Sequence, residues 1–157
     1  MPRWHEVEAQ APELTARARA LLDAGKHKTI ATVRADGAPR ISGIECEFVD
    51  GDLQFGSMWR AVKALDLLRD PRFALHSAST DPPGWPGDAK LAGRAIELGD
   101  EAKTAHREAK GGEAPSGPWH LFDADITELV VVGLSEARGK LVIESWHDGR
   151  GLSLRER

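Results

Sequence analysis

Cysteine is nearly absent from this sequence, with Cys46 the single example among 157 residues. A lone cysteine cannot form an internal disulfide, so the fold does not need an oxidising compartment. Tyrosine is missing, and no stretch approaches the run of about 20 apolar residues that spans a bilayer. Residues 1–6 are polar and lack the apolar run of a signal peptide. We therefore expect a cytoplasmic protein with no membrane partner.

Positive charge is also scarce, because 21 Lys and Arg stand against 25 Asp and Glu and give a net charge of −4 at pH 7. Surfaces that bind nucleic acid are normally basic, so we expect no nucleic-acid partner. The six histidines show no metal-ligand spacing, and we expect no metal site. Nucleophile-elbow and Walker-type phosphate motifs are missing too. The length suits one domain over 1–157.

Hydrophobic periodicity predicts a mainly β, α+β fold. Helices are predicted at 11–26, 57–69 and 101–110, and strands at 28–34, 40–49, 52–56, 72–79, 89–98, 126–134 and 140–146. Asp36-Gly37 and Asp50-Gly51 are hairpin signals, so the first three strands are antiparallel neighbours. About seven short antiparallel strands with interspersed helices fit a compact barrel, and the hairpins exclude a parallel doubly wound sheet. The Gly/Pro-rich stretches 80–88 and 111–118 are predicted loops.

The segment 57–71 carries the strongest chemical signal. Ser57 is a predicted N-cap, and Arg60 and Lys63, three residues apart, share one face of the predicted first turn. Free N–H groups and the helix dipole already favour an anion there. A hydroxyl, a guanidinium and an ammonium at one helix start suit a phosphate monoester. The alternative is that both cations are solvated surface charges, one of them paired with Asp66.

Three stretches together resemble the pyridoxamine 5'-phosphate oxidase-like family. Residues 29–44 resemble its opening hairpin, 50–53 its next turn, and 67–72 the Asp-Pro ending of its basic helix. The resemblance covers roughly residues 15–100. It implies an antiparallel split β-barrel of the FMN-binding type that works as a homodimer, with FMN or the deazaflavin F420 held between subunits.

Carried over by position, Lys63 matches the lysine of the family that holds the flavin phosphate, Arg60 matches less closely, and Ser57 stands where the family often has Thr or Ser. The second strand flanks the flavin ring in the family, which adds further candidates; for these, ordinary barrel packing is the alternative. They are Arg40, Ile41, Ser42, Gly43 and Ile44. The chain departs from the family at Leu65-Asp66, where F420-binding relatives have Arg-Asn, and it lacks a clear pyridoxal-phosphate signature.

The resemblance implies a flavin-dependent oxidoreductase that moves hydride to or from a small planar organic substrate. The sequence singles out no catalytic residue. One alternative is a flavin-binding or storage protein without turnover. Another is a haem-binding relative on the same barrel, with His76 or His120 as the axial ligand. Trp85 and Trp119, in the predicted Gly/Pro loops, either cover the bound ligand or close the barrel ends.

Overall fold

The computed structural model describes residues 2–112 and 117–157. Over these ranges the chain forms eight strands and four helices. The helices are α1 (Trp4–Gln10), α2 (Pro12–Asp23), α3 (Val62–Arg69) and α4 (Asp100–Ala109). The strands are β1 (His27–Val33), β2 (Pro39–Val49), β3 (Asp52–Met58), β4 (Arg72–His76), β5 (Asp88–Glu97), β6 (Trp119–Leu134), β7 (Leu141–His147) and β8 (Gly151–Glu156).

All strand pairs are antiparallel, in the order β3-β2-β1-β4-β5-β6-β7-β8. A further antiparallel pairing of β3 with β6 closes the first six strands into a barrel. Strands β7 and β8 extend the sheet beyond β6. This arrangement confirms the predicted antiparallel, α+β split barrel. Within the described ranges, no helix is long and apolar enough to cross a bilayer.

Both Asp-Gly signals form the predicted hairpin turns. Asp50 and Gly51 have φ values of 51° and 86°, the left-handed pair that a tight two-residue turn requires. The β1–β2 connection closes where the Arg34 N–H donates to the Ala38 carbonyl at 2.8 Å. These turns fix the register that pairs Ile30 with Ser42 and Phe48 with Leu53.

Aromatic side chains fill the barrel, and the N-terminal helices cover one side of it. Phe55 lies 5.2 Å from Phe73 and 5.8 Å from Phe122, measured between ring centroids. Trp4 of α1 and Trp146 of β7 are fully buried in the same core. Each buried aromatic of this kind stabilises the fold by about 1.5–3 kcal/mol relative to an exposed one.

Several elements differ from the predictions. Helix α1 was not predicted, because only Trp4 and Val7 of its seven residues are buried and two apolar residues do not make a recognisable helical periodicity. Strand β6 begins at Trp119 rather than 126, β4 ends at His76, and the polar tail contains β8. The predicted loop 111–118 falls partly on 113–116, outside the described residues.

The predicted helix 57–69 needs the largest correction. Strand β3 continues through Ser57 to Met58, and α3 begins only at Val62, after a turn. Ser57 is therefore not an N-cap. Cross-strand pairing with β6 overrides local capping propensity, because Ser57 lies opposite His120 in the sheet.

Asp66 organises the buried side of α3. Its carboxylate accepts hydrogen bonds from the Thr32 hydroxyl at 2.8 Å, from Arg40 Nε at 2.7 Å and from Arg69 at 2.9 Å. Burial opposes its ionisation, but the hydrogen bonds from Arg40, Thr32 and Arg69 prevail and hold the pKa of Asp66 below its ordinary value of 3.8. This ionic cluster fixes α3 against β1 and β2.

Replacing Asp66 with Asn leaves Arg40 and Arg69 without a counter-ion. We expect the free energy of unfolding at pH 7 to fall by about 2–3 kcal/mol, since hydrogen bonds to charged groups contribute roughly 1.5–3 kcal/mol. Urea denaturation measures this. Because the folded pKa is depressed, the stabilisation is complete above pH 3.8 and is lost below it, so the two proteins should converge in acid. The Asp148→Asn change, at an exposed carboxylate, is the control, and equal effects of the two substitutions would contradict the role of Asp66.

Candidate functional site

A cleft of about 350 Å³ lies on the outer face of β2 and β3, between α3 and α4. This size is within the range of small-ligand sites. The cleft combines charged, polar and aromatic side chains from six elements. Its lining residues are His27, Gly43, Ile44, Glu45, Glu47, Gly56, Ser57, Met58, Lys63, His106, Lys110 and Trp119.

Lys63 spans the end of the cleft nearest α3. It is the second residue of the helix, and its Nζ donates to the Gly43 carbonyl of β2 at 2.8 Å. An ammonium group carries three protons, so two remain for another acceptor. The predicted lysine thus lies in the cleft, as an anion site requires.

Ser57 lines the same cleft and has a buried hydroxyl. The residue is 9% exposed, and its Oγ has no hydrogen-bond partner among the described residues. A buried hydroxyl left unpaired costs about 1–3 kcal/mol. A hydroxyl can both donate and accept, so a bound phosphate oxygen would satisfy it. This orphaned atom fits the phosphate-binding role predicted for Ser57, although its position in the strand differs from the predicted one.

The first turn of α3 is uncapped as well. Ala61 occupies the N-cap, and within the described part of the chain no side chain caps the helix. The free N–H groups of a helix start carry partial positive charge. Lys63 lies in this turn, so its charge adds to the dipole.

Arg60 does not take the predicted position. It lies before α3 in a turn, with a φ of 56°, and it is exposed and outside the set of lining residues that the structure describes. Its backbone N–H donates to His120 Nε2 at 3.2 Å. The prediction that Arg60 and Lys63 share one helical face is therefore wrong, because the helix begins two residues after Arg60.

The five candidates on β2 divide into two groups. Gly43 and Ile44 line the cleft, whereas Arg40, Ile41 and Ser42 precede it on the strand. Arg40 is bound to Asp66 beneath α3, which assigns its guanidinium a structural role in the folded chain. Ile41 is 74% exposed.

The opposite wall of the cleft comes from α4. His106 is buried, and its Nδ1 lies 2.8 Å from Gln54 Oε1. Lys110 Nζ lies 2.8 Å from Glu47 Oε1, and His106 Nε2 lies 3.7 Å from Glu47 Oε2. Burial lowers the pKa of His106 from its ordinary value of 6.5, so the ring is neutral near pH 7.

Trp119 forms an aromatic wall at the start of β6. It is 5% exposed, and the Lys103 ammonium lies 5.9 Å from its ring centroid. The glycine at position 56 permits this packing, because a Cβ there would lie 3.3 Å from the indole ring. The predicted loop tryptophan therefore belongs to a strand. Trp85 lies elsewhere, with its Nε1 donating to Asp88 at 3.1 Å.

The two candidate haem ligands are already engaged. His120 accepts the Arg60 N–H on Nε2, its Nδ1 lies 2.9 Å from Glu97, and it stacks on Trp59 at 4.7 Å. His76 Nδ1 lies 2.6 Å from the Ser77 carbonyl oxygen. Across the described ranges, no group of three or more His, Cys, Asp or Glu side chains is placed to hold a metal ion.

Solved structures with the same fold bind different groups. An FMN-binding, pyridoxamine 5'-phosphate oxidase-related protein from Nostoc punctiforme PCC 73102 is 17% identical, with 100% of this chain and 97% of that chain covered and a TM-score of 0.63. A heme binding protein from Mycobacterium smegmatis is 14% identical, with 92% and 88% covered and a TM-score of 0.64. An F420 reductase is 19% identical, with 71% and 94% covered and a TM-score of 0.54.

The chain has the split-barrel fold of the pyridoxamine 5'-phosphate oxidase-related proteins. This confirms the resemblance drawn from the hairpin and helix motifs at the level of fold. No protein-family model matches the sequence, and no curated protein matches it either.

Sequence reasoning missed the α4 wall of the cleft. His106 and Lys110 are four residues apart on a polar helix, which reads as a solvated face. The sequence carries no clear signal for this wall, because His106, the one residue of α4 that the described structure buries, is buried by tertiary packing. Glu47 was missed because alternation alone did not tell which face of β2 forms the cleft.

The close approach at Gly56 gives a test of the cleft wall. We expect Gly56→Val to lower the free energy of unfolding by about 1–3 kcal/mol, since the new side chain displaces Trp119 from a packed site. Gly43→Val is the matched control, because a Cβ at Gly43 meets nothing within 4 Å. Chemical denaturation followed by tryptophan fluorescence compares the two. Equal effects would mean that Trp119 does not pack on β3 as described.

Proposed function

We propose that this protein is an oxidoreductase that holds FMN, or alternatively F420, in the cleft between α3 and α4. The cofactor phosphate binds Lys63 Nζ and Ser57 Oγ at the start of α3. The isoalloxazine or deazaflavin ring of the cofactor lies along β2. The residues of β2 that are candidates for contact with this ring are Ile41, Ser42, Gly43 and Ile44. The substrate is a small planar organic molecule that exchanges hydride with the ring.

The unpaired hydroxyl of Ser57 is the observation that carries this proposal. It combines with the lysine ammonium and the uncapped helix start in one cleft. Each of these three features favours an anion with several acceptor oxygens, and a phosphate monoester has three. The FMN-binding protein of the same fold supports the choice of a flavin.

A bound flavin would supply the redox chemistry, and the protein would bind it, orient it and exclude water. Lys63 and Ser57 hold the phosphate end, and Trp119 walls the cleft. The cleft does not need a strong acid or base for hydride transfer, which agrees with the lack of a catalytic motif in the sequence.

A flavin-binding or storage protein without turnover is the second candidate, since the same phosphate site serves both functions. A haem role is less well supported, because His120 has both ring nitrogens within hydrogen-bond distance of other groups. The two flavin functions differ only in turnover. Hydride transfer from the reduced cofactor to a panel of planar acceptors separates them, and a flavin that binds but never turns over favours storage.

The proposed functional unit is a homodimer. Apolar side chains remain exposed around α3 and the ends of β2 and β3, and a monomer would leave this surface in water. They are Ile41, Met58, Trp59, Val62, Leu65 and Leu68. The apolar surface adjoins the cleft at Met58, so a second copy packed there would also cover the cofactor.

Lys63→Ala tests the phosphate site. We expect FMN affinity to fall at least tenfold, about 1.4 kcal/mol, because an ammonium–phosphate contact is lost. Quenching of FMN fluorescence on titration measures the dissociation constant, and a parallel titration with F420 decides between the two cofactors. Lys90→Ala, a lysine outside the cleft, should bind as tightly as the unmodified protein. Unchanged affinity in Lys63→Ala would remove Lys63 from the proposal.

Val62→Glu with Leu68→Glu tests the dimer. These exposed positions on α3 tolerate charge in a monomer, so the fold should survive while a self-association surface is lost. Analytical ultracentrifugation should find about twice the 17.1 kDa chain mass for the unmodified protein and one chain mass for the variant. A monomeric unmodified protein would contradict the proposed assembly.

A further inference from the structure

Helix α4 is attached to the barrel in an unusual way for a helix that walls a cleft. Of its ten residues, His106 is the one that the described structure buries, at 2% exposure. Most helices are held by an apolar stripe, and α4 has none. Its position therefore depends on polar contacts, and the buried imidazole makes several of them.

Three strands meet that imidazole. Gln54 of β3 accepts its Nδ1–H at 2.8 Å, Glu47 of β2 lies 3.7 Å from Nε2, and the Trp119 ring of β6 lies 5.6 Å away between centroids. Lys110 follows one helical turn later on the same face. Its ammonium lies in the cleft, 2.8 Å from Glu47.

The charge balance of the cleft requires a second cation for a phosphate. Glu45 and Glu47 both line it, and Lys26 lies 3.8 Å from Glu45. Lys26 and Lys63 together would therefore only offset these two carboxylates and leave a phosphate dianion without a counter-charge. His27 lies 3.9 Å from Glu45 and adds charge only when protonated. Arg60, the second cation predicted from the sequence, is outside the cleft. Lys110 is the remaining cation among the described lining residues.

We propose that Lys110 is the second cationic ligand of the cofactor phosphate and that His106 is the residue that positions it. This inference rests on the proposed function and deepens it. The Glu47 carboxylate binds the Lys110 ammonium at 2.8 Å. On binding, the phosphate becomes a further acceptor for that ammonium.

The positioning contact is sensitive to acid. The groups that face His106 are Glu47 from β2, Gln54 from β3, Trp119 from β6 and Lys110, the C-cap residue of α4. Burial lowers the pKa of His106 below 6.5; the nearby Glu47 opposes the shift and Lys110 adds to it. The imidazole of His106 is neutral when it is buried against the barrel, and it takes up a proton more readily when it is exposed to water. Detachment of α4 from the barrel therefore becomes more favourable as the pH falls below 6.5.

The ligand role of Lys110 is tested with FMN and with riboflavin, which lacks the phosphate. We expect Lys110→Ala to weaken FMN binding at least fivefold and to change riboflavin binding less than twofold. Lys140→Ala, at an exposed lysine outside the cleft, should leave FMN binding within twofold. Equal losses for FMN and riboflavin, or unchanged FMN affinity, would overturn the role of Lys110.

The positioning role of His106 is tested without any ligand, by hydrogen exchange of the α4 amides at pH 5 and pH 7.5, corrected for intrinsic rates. We expect protection to fall at least fivefold at pH 5 in the unmodified protein. In His106→Leu, protection should not depend on pH, and His147→Leu should behave as the unmodified protein does. If His106→Leu fails to fold, His106→Gln provides a second non-titrating variant. Acid loosening that persists in the non-titrating variant would overturn the positioning role.

Failure of the proposed function and failure of the further inference give different experimental results. Failure of the unmodified protein to bind FMN and F420 overturns the proposed function and the ligand role of Lys110 together, whereas the exchange experiment still decides the role of His106. FMN binding that is weakened by Lys63→Ala and unaffected by Lys110→Ala overturns the role of Lys110 alone.

Discussion

The antiparallel pairing of β3 with β6 closes the barrel, and the same pairing builds the cleft. Its register sets Ser57 opposite His120 and Met58 opposite Trp119. Ser57 is thereby buried, with no partner for its hydroxyl in the described ranges, and Trp119 lies against the strand at Gly56. Helix α4 precedes β6 in the chain, so closure also brings His106 and Lys110 to the cleft edge. A slip of one residue in this register would turn the side chains of the slipped strand to the other face.

The cationic side chains on and around α3 lie on two different sides of the helix. Buried Asp66 binds Arg40 and Arg69 on the inner side of α3, so neither guanidinium reaches the cleft. Lys63 is directed to the other side, across to the Gly43 carbonyl. Two cationic groups are thus used for stability and one is left at the helix start for binding. The ionic cluster and the proposed phosphate site share α3, so the packing of that helix matters to both.

Local signals were sufficient for much of this fold. The two Asp-Gly turns and the alternation of β1 to β3 predict their hairpins, because tight turns fix register within a few residues. Pairings between distant residues were beyond such signals. Ser57 and Arg60 look like a helix start in isolation, yet the contact with β6 some 60 residues later keeps Ser57 in a strand and Arg60 in a turn. Lys63 was identifiable from its position in the motif, whereas Lys110 enters the cleft only through the tertiary packing of His106.

The most direct test is a crystal structure of the protein grown with FMN. The account predicts a phosphate within hydrogen-bond distance of both Lys63 Nζ and Ser57 Oγ, at the uncapped start of α3. A flavin whose phosphate lies elsewhere, with the Ser57 hydroxyl still unpaired, would contradict it.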